Sequence, residues 1–254
     1  VEWIEKGSTF HGKLTMICLI PLSIGEVCLD CLMRCGVLWV QFYSIPMSEN
    51  SITASGTALA DHIRHRRTIA PKNFNEEVPD HDLVVKAIDI ARNAPNHHRT
   101  EPCRLYLLDT VRIREIGQLF GELVCGAEPT DESRVRGNKK KIEWGSAPGM
   151  LVVTQFTDRS SVLVQHKPEV VREDYATCCG IVQNLLLLLE EANISTKWST
   201  GPVWKHPRFR EVVGIPHAPP NEEVVALVFY GKSEFPKEVR ELSSLSGSLV
   251  NHLE

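Results

Sequence analysis

The chain is organised around NAPNHHRTEPCRLYLL, Asn93 to Leu108. Pro95 pushes the residue before it out of the αR region, so a helix arriving from the N-terminal side ends at Asn93-Ala94-Pro95. Asn96 to Glu101 form a polar loop closed by Pro102, and Leu105-Tyr106-Leu107-Leu108 is an apolar run of strand length. Side chains that bond, stack or carry charge therefore sit between two packed elements, where binding groups are usually displayed.

Upstream, Leu83, Val84, Ala87, Ile88 and Ala91 make one apolar face of the arriving helix, with Asp80 or Asp82 as its cap. Before it, residues 57–65 read as a helix capped by Ser55 or Thr57, with Leu59, His62 and Ile63 on one face. That helix delivers Arg66-Arg67-Thr68 at its C-terminal end. Taken singly, those cations complement the negative end of the helix dipole. Taken together, two guanidiniums and a hydroxyl can bind a phosphate.

Downstream, Ile113, Ile116, Leu119, Phe120 and Leu123 mark a second amphipathic helix. Residues 125–138 are polar and glycine-containing, which reads as a flap. Lys139-Lys140-Lys141 reads as a solvated helix face. Met150 to Thr154 is a buried strand. The longest helix runs from Pro168 to Ala192 and is apolar almost all round between residues 176 and 189. Such a helix must be covered on every side, by the domain centre or by a second subunit. Asn193 is a left-handed terminator. Lys197 to Pro202 is a polar turn carrying Trp198, a short helix follows His206, and residues 224–231 are the last strand. Few strands separated by helices predict an α+β domain whose sheet is covered on both faces.

The 254 residues carry a net charge of −4 with charged residues of both signs mixed along the sequence, which argues against nucleic-acid or polybasic membrane binding. Eight cysteines with no disulfide-like framework suggest a reducing compartment, and so a cytoplasmic protein. Residues 1–46 differ in character from the rest and read as an extension, with the folded domain spanning 47–254 from Met47. No stretch there is long and unbroken enough to span a membrane. Cys28, Cys31 and Cys35 lack the partner ligands of a metal site. His97-His98 lacks helical metal-ligand spacing and a carboxylate beside it, so no metal is expected. There is no GxSxG, HExxH, Walker A or strand-borne GxGxxG motif. A Cys103–His97 thiol pair remains conceivable. The other reading is a phosphate site with polar loops and aromatics around a flat heterocycle, the requirements of an organic cofactor.

Six motifs in order resemble the FMN-dependent nitroreductase family, and especially its small bacterial-type subgroup. They are Arg66-Arg67-Thr68, Asn93 to His97, Glu101-Pro102 before a strand, Ser146-Ala147-Pro148 before Met150, Trp198 to Gly201, and Tyr230-Gly231 with a lysine beyond. The resemblance implies a mixed central sheet covered by helices, and a homodimer with FMN at each interface and the long helix in the dimer core. It implies that Arg66, Arg67, Thr68 and Lys237 hold phosphate and ribityl oxygens. Trp198, Ser199 and Thr200 then line the isoalloxazine, and Asn93 and His97 reach it from the other subunit. It further implies hydride transfer from NAD(P)H through flavin N5 to a small electron acceptor such as a nitroaromatic or quinone. A dimer of the same fold serving as sensor or scaffold, with or without flavin, is the alternative.

Overall fold

The computed structural model describes residues 58–215, 219, 221–238 and 241. The 1–46 extension, the Cys28/Cys31/Cys35 cluster and the Ser55/Thr57 cap lie outside the described residues, as does nearly all of the tail after Arg240. Four strands, β1 (Cys103–Leu108), β2 (Gly149–Phe156), β3 (Ser195–Ser199) and β4 (Glu222–Gly231), form one sheet in the order β1-β2-β4-β3. Every neighbouring pair is antiparallel. A parallel bridge, Thr68 to Thr196, joins the residues after the first helix to the β3 edge.

The central pair explains the layering. Met150, Leu151, Val152 and Val153 of β2 and Ala226 to Phe229 of β4 are buried in unbroken succession, so both faces of the sheet must be covered. On one face α6 (Val170–Glu191), which follows the short α5 (Val162–His166), and α2 (His81–Ala91) pack Val84, Ala87, Ile181, Val182, Leu185 and Leu189 against Leu151, Val153 and Val228. On the other, α3 (Thr110–Cys125), α4 (Asp131–Gly145) and α7 (Phe209–Val213) pack Ile116, Leu119, Trp144 and Phe209 against Met150, Val152 and Phe229. Asp80 caps α2 by accepting from the Asp82 amide at 2.9 Å, and Asn193 leaves α6 at φ 58°. No helix among the described residues is long and apolar enough to cross a membrane.

Three sequence expectations change. Most of 125–138 is not a flap: its second half opens α4, which Thr130 caps through the Ser133 amide. Close backbone approach to α3 holds α4 in place. A Cβ on Gly117 would lie 2.6 Å from the Lys141 carbonyl oxygen, and one on Gly137 would lie 2.7 Å from that of Gly121. A sequence search for apolar periodicity does not register this glycine contact. Lys197 to Ser199 belong to strand β3 rather than to a turn, because β4 pairs with them from Phe229 to Leu227. Val182 and Leu186, the apolar centre of the long helix, are buried within this chain. Its exposed line instead includes Tyr175, Ala176 and Gln183. Helix α1 (Ala58–His65) buries no residue, leaving Leu59 and Ile63 more than half exposed.

A polar knot ties β1, β2 and β4 together. Glu222 Oε1, on a nearly buried residue, accepts from Tyr106 Oη and from Thr154 Oγ1, each at 2.6 Å. Burial first, then the hydrogen bond and charge of Glu222, push the Tyr106 phenol from 10.0 up to about 12. The neutral phenol is favoured in the folded chain, so its contribution to stability is full below pH 10 and lost as pH rises to about 12. Denaturant titrations across that window should therefore show a steeper loss of stability for the wild type than for Tyr106→Phe. Equal slopes would mean that the phenol is not held by Glu222.

Candidate functional site

Two groups of polar side chains lie along α6, one near each end. At the C-terminal end, the Ile69 amide donates to the Thr196 carbonyl at 3.0 Å, next to the Thr68–Thr196 bridge. This sets Arg66-Arg67-Thr68 beside β3 and its Trp198. Arg67 Nε donates to the Glu238 carbonyl and its Nη1 to the Arg66 carbonyl, each at 2.7 Å, so this guanidinium is fixed by backbone. The Arg66 side chain makes no hydrogen bond or ion pair among the described residues. Lys237, one residue before Glu238, pairs with Glu190 on the last turn of α6 at 2.7 Å. Five of the expected residues are thus drawn together by three short contacts, and Ser199 and Thr200 continue from Trp198.

Two donors here have no partner. Thr196 Oγ1 and Trp198 Nε1 are shielded from solvent and make no hydrogen bond, as is the second oxygen of Glu190, an acceptor. Thr196 and Trp198 are two apart on β3, so their side chains share one face of the strand. A buried donor without an acceptor costs about 1–3 kcal/mol. Orphaned N–H and O–H groups beside an uncommitted guanidinium fit a ligand rich in oxygen acceptors and carrying a phosphate. Lys197, between them, faces Glu143 of α4 at 3.9 Å. Burial pulls its pKa below the ordinary lysine range, and Glu143 opposes that shift. Thr196, Lys197 and Glu190 escaped the sequence reading, because only strand pairing and the end of α6 bring them to the arginines.

The organising loop belongs to the other end. It descends α6, with Asn184 Nδ2 donating to the Ala91 carbonyl at 3.2 Å, Thr177 Oγ1 to that of Pro95 at 3.0 Å, and His98 Nε2 lying 3.6 Å from Glu173. Asn93 is exposed and donates to the Ile90 carbonyl, and His97 is exposed with its ring against that of His98. From Glu173 to Glu190 the helix rises about 26 Å at 1.5 Å per residue. Within one chain the predicted set is therefore divided: His97 stands far from Lys237 and the arginines. Cys103 faces the thiol of Cys178 rather than His97, and that contact together with burial raises the Cys178 pKa. No contact between Cys103 and His97, the alternative thiol pair, is formed among the described residues.

The loop's shape is held by a buried carboxylate. Arg99 and Glu101 both adopt positive φ, 52° and 46°, a conformation that costs a non-glycine residue about 1 kcal/mol or more. Asn96 Oδ1 accepts from the Thr100 amide at 3.1 Å, and Asp174 Oδ1 accepts from Thr100 Oγ1 at 2.5 Å. The second oxygen of Asp174 accepts from Thr157 Oγ1 at 2.6 Å.

The sequence pattern of the nitroreductase family matches residues 63–232. YfhC of Bacillus subtilis (strain 168), provisionally named an NAD(P)H nitroreductase, is 26% identical over 188 residues, which are 73% of this chain and 89% of YfhC. A nitroreductase-like family protein from Bacillus cereus superposes with a TM-score of 0.55 at 24% identity, covering 76% of this chain and 94% of its own. A nitroreductase with bound FMN from Bacteroides fragilis NCTC 9343 gives a TM-score of 0.59 at 16% identity, covering 78% of this chain and all of its own. At these identities the two structures establish a shared fold.

Asp174→Ala should release the loop. It removes two hydrogen bonds to a charged group, about 3 kcal/mol or more in all, or about 6–12 °C in melting temperature for a domain of this size. Limited trypsin digestion should then cut faster at Arg99. An unchanged cleavage rate would mean that the loop is held by other contacts.

Proposed function

The chain belongs to the nitroreductase family, and from that membership we propose that it is an FMN-dependent oxidoreductase acting as a homodimer. Its electrons would come from NAD(P)H and go to a small electrophile such as a nitroaromatic or a quinone. The relative named for NAD(P)H nitroreduction and the FMN-bound neighbour support this reading. The observation that carries it is the grouping of Arg66, Arg67 and Thr68 with the unpartnered Thr196 and Trp198 donors.

In this reading Arg66 would hold the FMN phosphate, and Arg67, braced on the Glu238 carbonyl, would add charge from a fixed position. Thr68 bonds the ribityl oxygens, and Lys237 shares its charge between Glu190 and the phosphate. Trp198, Ser199 and Thr200 wall the ring system and keep water from it. The cofactor supplies two-electron transfer between nicotinamide and acceptor. His97 completes the site from the partner subunit, since the helix rise separates it from the arginines of its own chain, and the family resemblance assigns Asn93 to the same side. Exposed Leu59, Ile63, Ile90 and Tyr175 supply apolar surface for a subunit interface. Glu101 stands where the family resemblance expects glutamine, and its carboxylate would disfavour negative charge on a cofactor bound beside it.

Purified protein is expected to be yellow and to bleach under anaerobic NADPH or NADH; a yellow protein that does not bleach, or a colourless one, favours the sensor or scaffold reading. Arg66→Ala with Arg67→Ala should weaken FMN at least about a hundredfold, from about 1.5–3 kcal/mol per charged bond. Full occupancy in that variant would remove the arginines from the phosphate site. Subunit exchange tests the division of the site. Heterodimers of the Arg66/Arg67 double variant with His97→Ala chains should regain one wild-type-like site, because both lesions fall on the other. No recovery after demonstrated exchange would assign His97 to its own subunit.

A further inference from the structure

We propose that His97, His98 and Glu173 form a binding site for a divalent transition-metal ion of the zinc class. The site shares His97 with the proposed flavin reading, and His98 and Glu173, which that reading does not use, are the residues that test it. Their ligand atoms all lie within 4.8 Å of one another, although no carboxylate neighbours the two histidines in sequence. The fold brings Glu173 in from the first turn of α6, setting its Oε2 3.6 Å from His98 Nε2. Zinc–ligand bonds of about 2.0–2.2 Å put neighbouring ligands of a tetrahedron about 3.4 Å apart. The His98–Glu173 pair already meets that spacing, and His97, exposed and in ring contact with His98 at 4.3 Å between centroids, needs only a small rotation.

The second observation is the state of the carboxylate. Glu173 Oε2 is shielded from solvent and makes no hydrogen bond, and its neighbouring imidazole nitrogen is too distant to donate one. The Glu173 side chain is 37% exposed, so water reaches its other atoms, and a cation between Oε2 and the two imidazoles would supply the partner that this shielded oxygen lacks. Both sides of the site are fixed: Thr100 bonds Asp174, next to Glu173, and Thr177 bonds the Pro95 carbonyl on the loop. Two imidazoles and one carboxylate suit zinc, nickel or copper and leave one position for water. Magnesium and calcium, which favour all-oxygen shells, are not expected there. Bound metal would rivet the loop to α6.

The full-length chain, stripped with EDTA and dialysed, is titrated with zinc chloride against a chromophoric chelator at about pH 8, where free imidazole is neutral. Magnesium chloride serves as the control. The expected result is one zinc per chain from this site, no competing uptake of magnesium, and at least about tenfold weaker zinc binding in both His98→Ala and the isosteric Glu173→Gln. Neither residue is among those offered for FMN. Absence of zinc uptake, or zinc held equally well by wild type and both variants, would overturn the proposal; the second result would locate the ion elsewhere, such as on the N-terminal cysteines.

Discussion

The double-sided burial of β2 and β4 is the constraint on which the rest depends. With Met150 to Val153 and Ala226 to Phe229 shielded on both faces, those stretches of the central strands have no room for a polar ligand. Helices must cover each face, and groups able to bind something are displaced to the sheet edges and helix ends. The arginine pair reaches β3, an edge strand, through one parallel bridge. The organising loop leads into β1, the opposite edge.

Helix α6 works as a spacer between these two regions. Its inward line of Cys178, Ile181, Val182, Leu185 and Leu189 fixes it against the sheet, so its ends have defined positions. Glu190 at one end meets Lys237, and Glu173 and Asp174 at the other meet the loop. A length of about 26 Å between them turns one apparent site into two halves. In the proposed dimer each flavin takes one half from each chain, which gives a physical reason for activity to require association.

Polar groups buried near these halves are not equally satisfied. Glu222 and Asp174 accept from two hydroxyls each and serve as structural ties. Thr196, Trp198 and Glu173 instead present buried atoms with no partner. Satisfied groups hold the scaffold, and unsatisfied ones mark where a ligand would compensate the lost hydration. On that criterion the β3 edge and the His97-His98-Glu173 cluster are two such places, and Arg210 Nη1, beside Glu222 at the start of β4, is a third.

Local patterns in the sequence determined a good deal. Pro95 ended α2, Asp80 capped it, Asn193 terminated α6, and unbroken apolar runs marked β2 and β4, since each depends on backbone sterics or on periodicity within a few residues. The α+β class and a sheet covered on both faces followed from those elements. The Arg66-Arg67-Thr68 motif was visible too, although not what it touches. What tertiary structure alone decided involves residues remote in sequence. Helix α4 rests on glycine contacts with α3 that carry no hydrophobic signal, and Trp198 became part of a strand because β4 pairs with it. Val182 and Leu186 proved to be core because sheet and helices cover them. Glu173 joined two histidines some seventy-five residues earlier, and the long helix parted His97 from the arginines. Side-chain chemistry is written in the sequence, but distances between remote residues arise only when burial of the sheet fixes where each helix must lie.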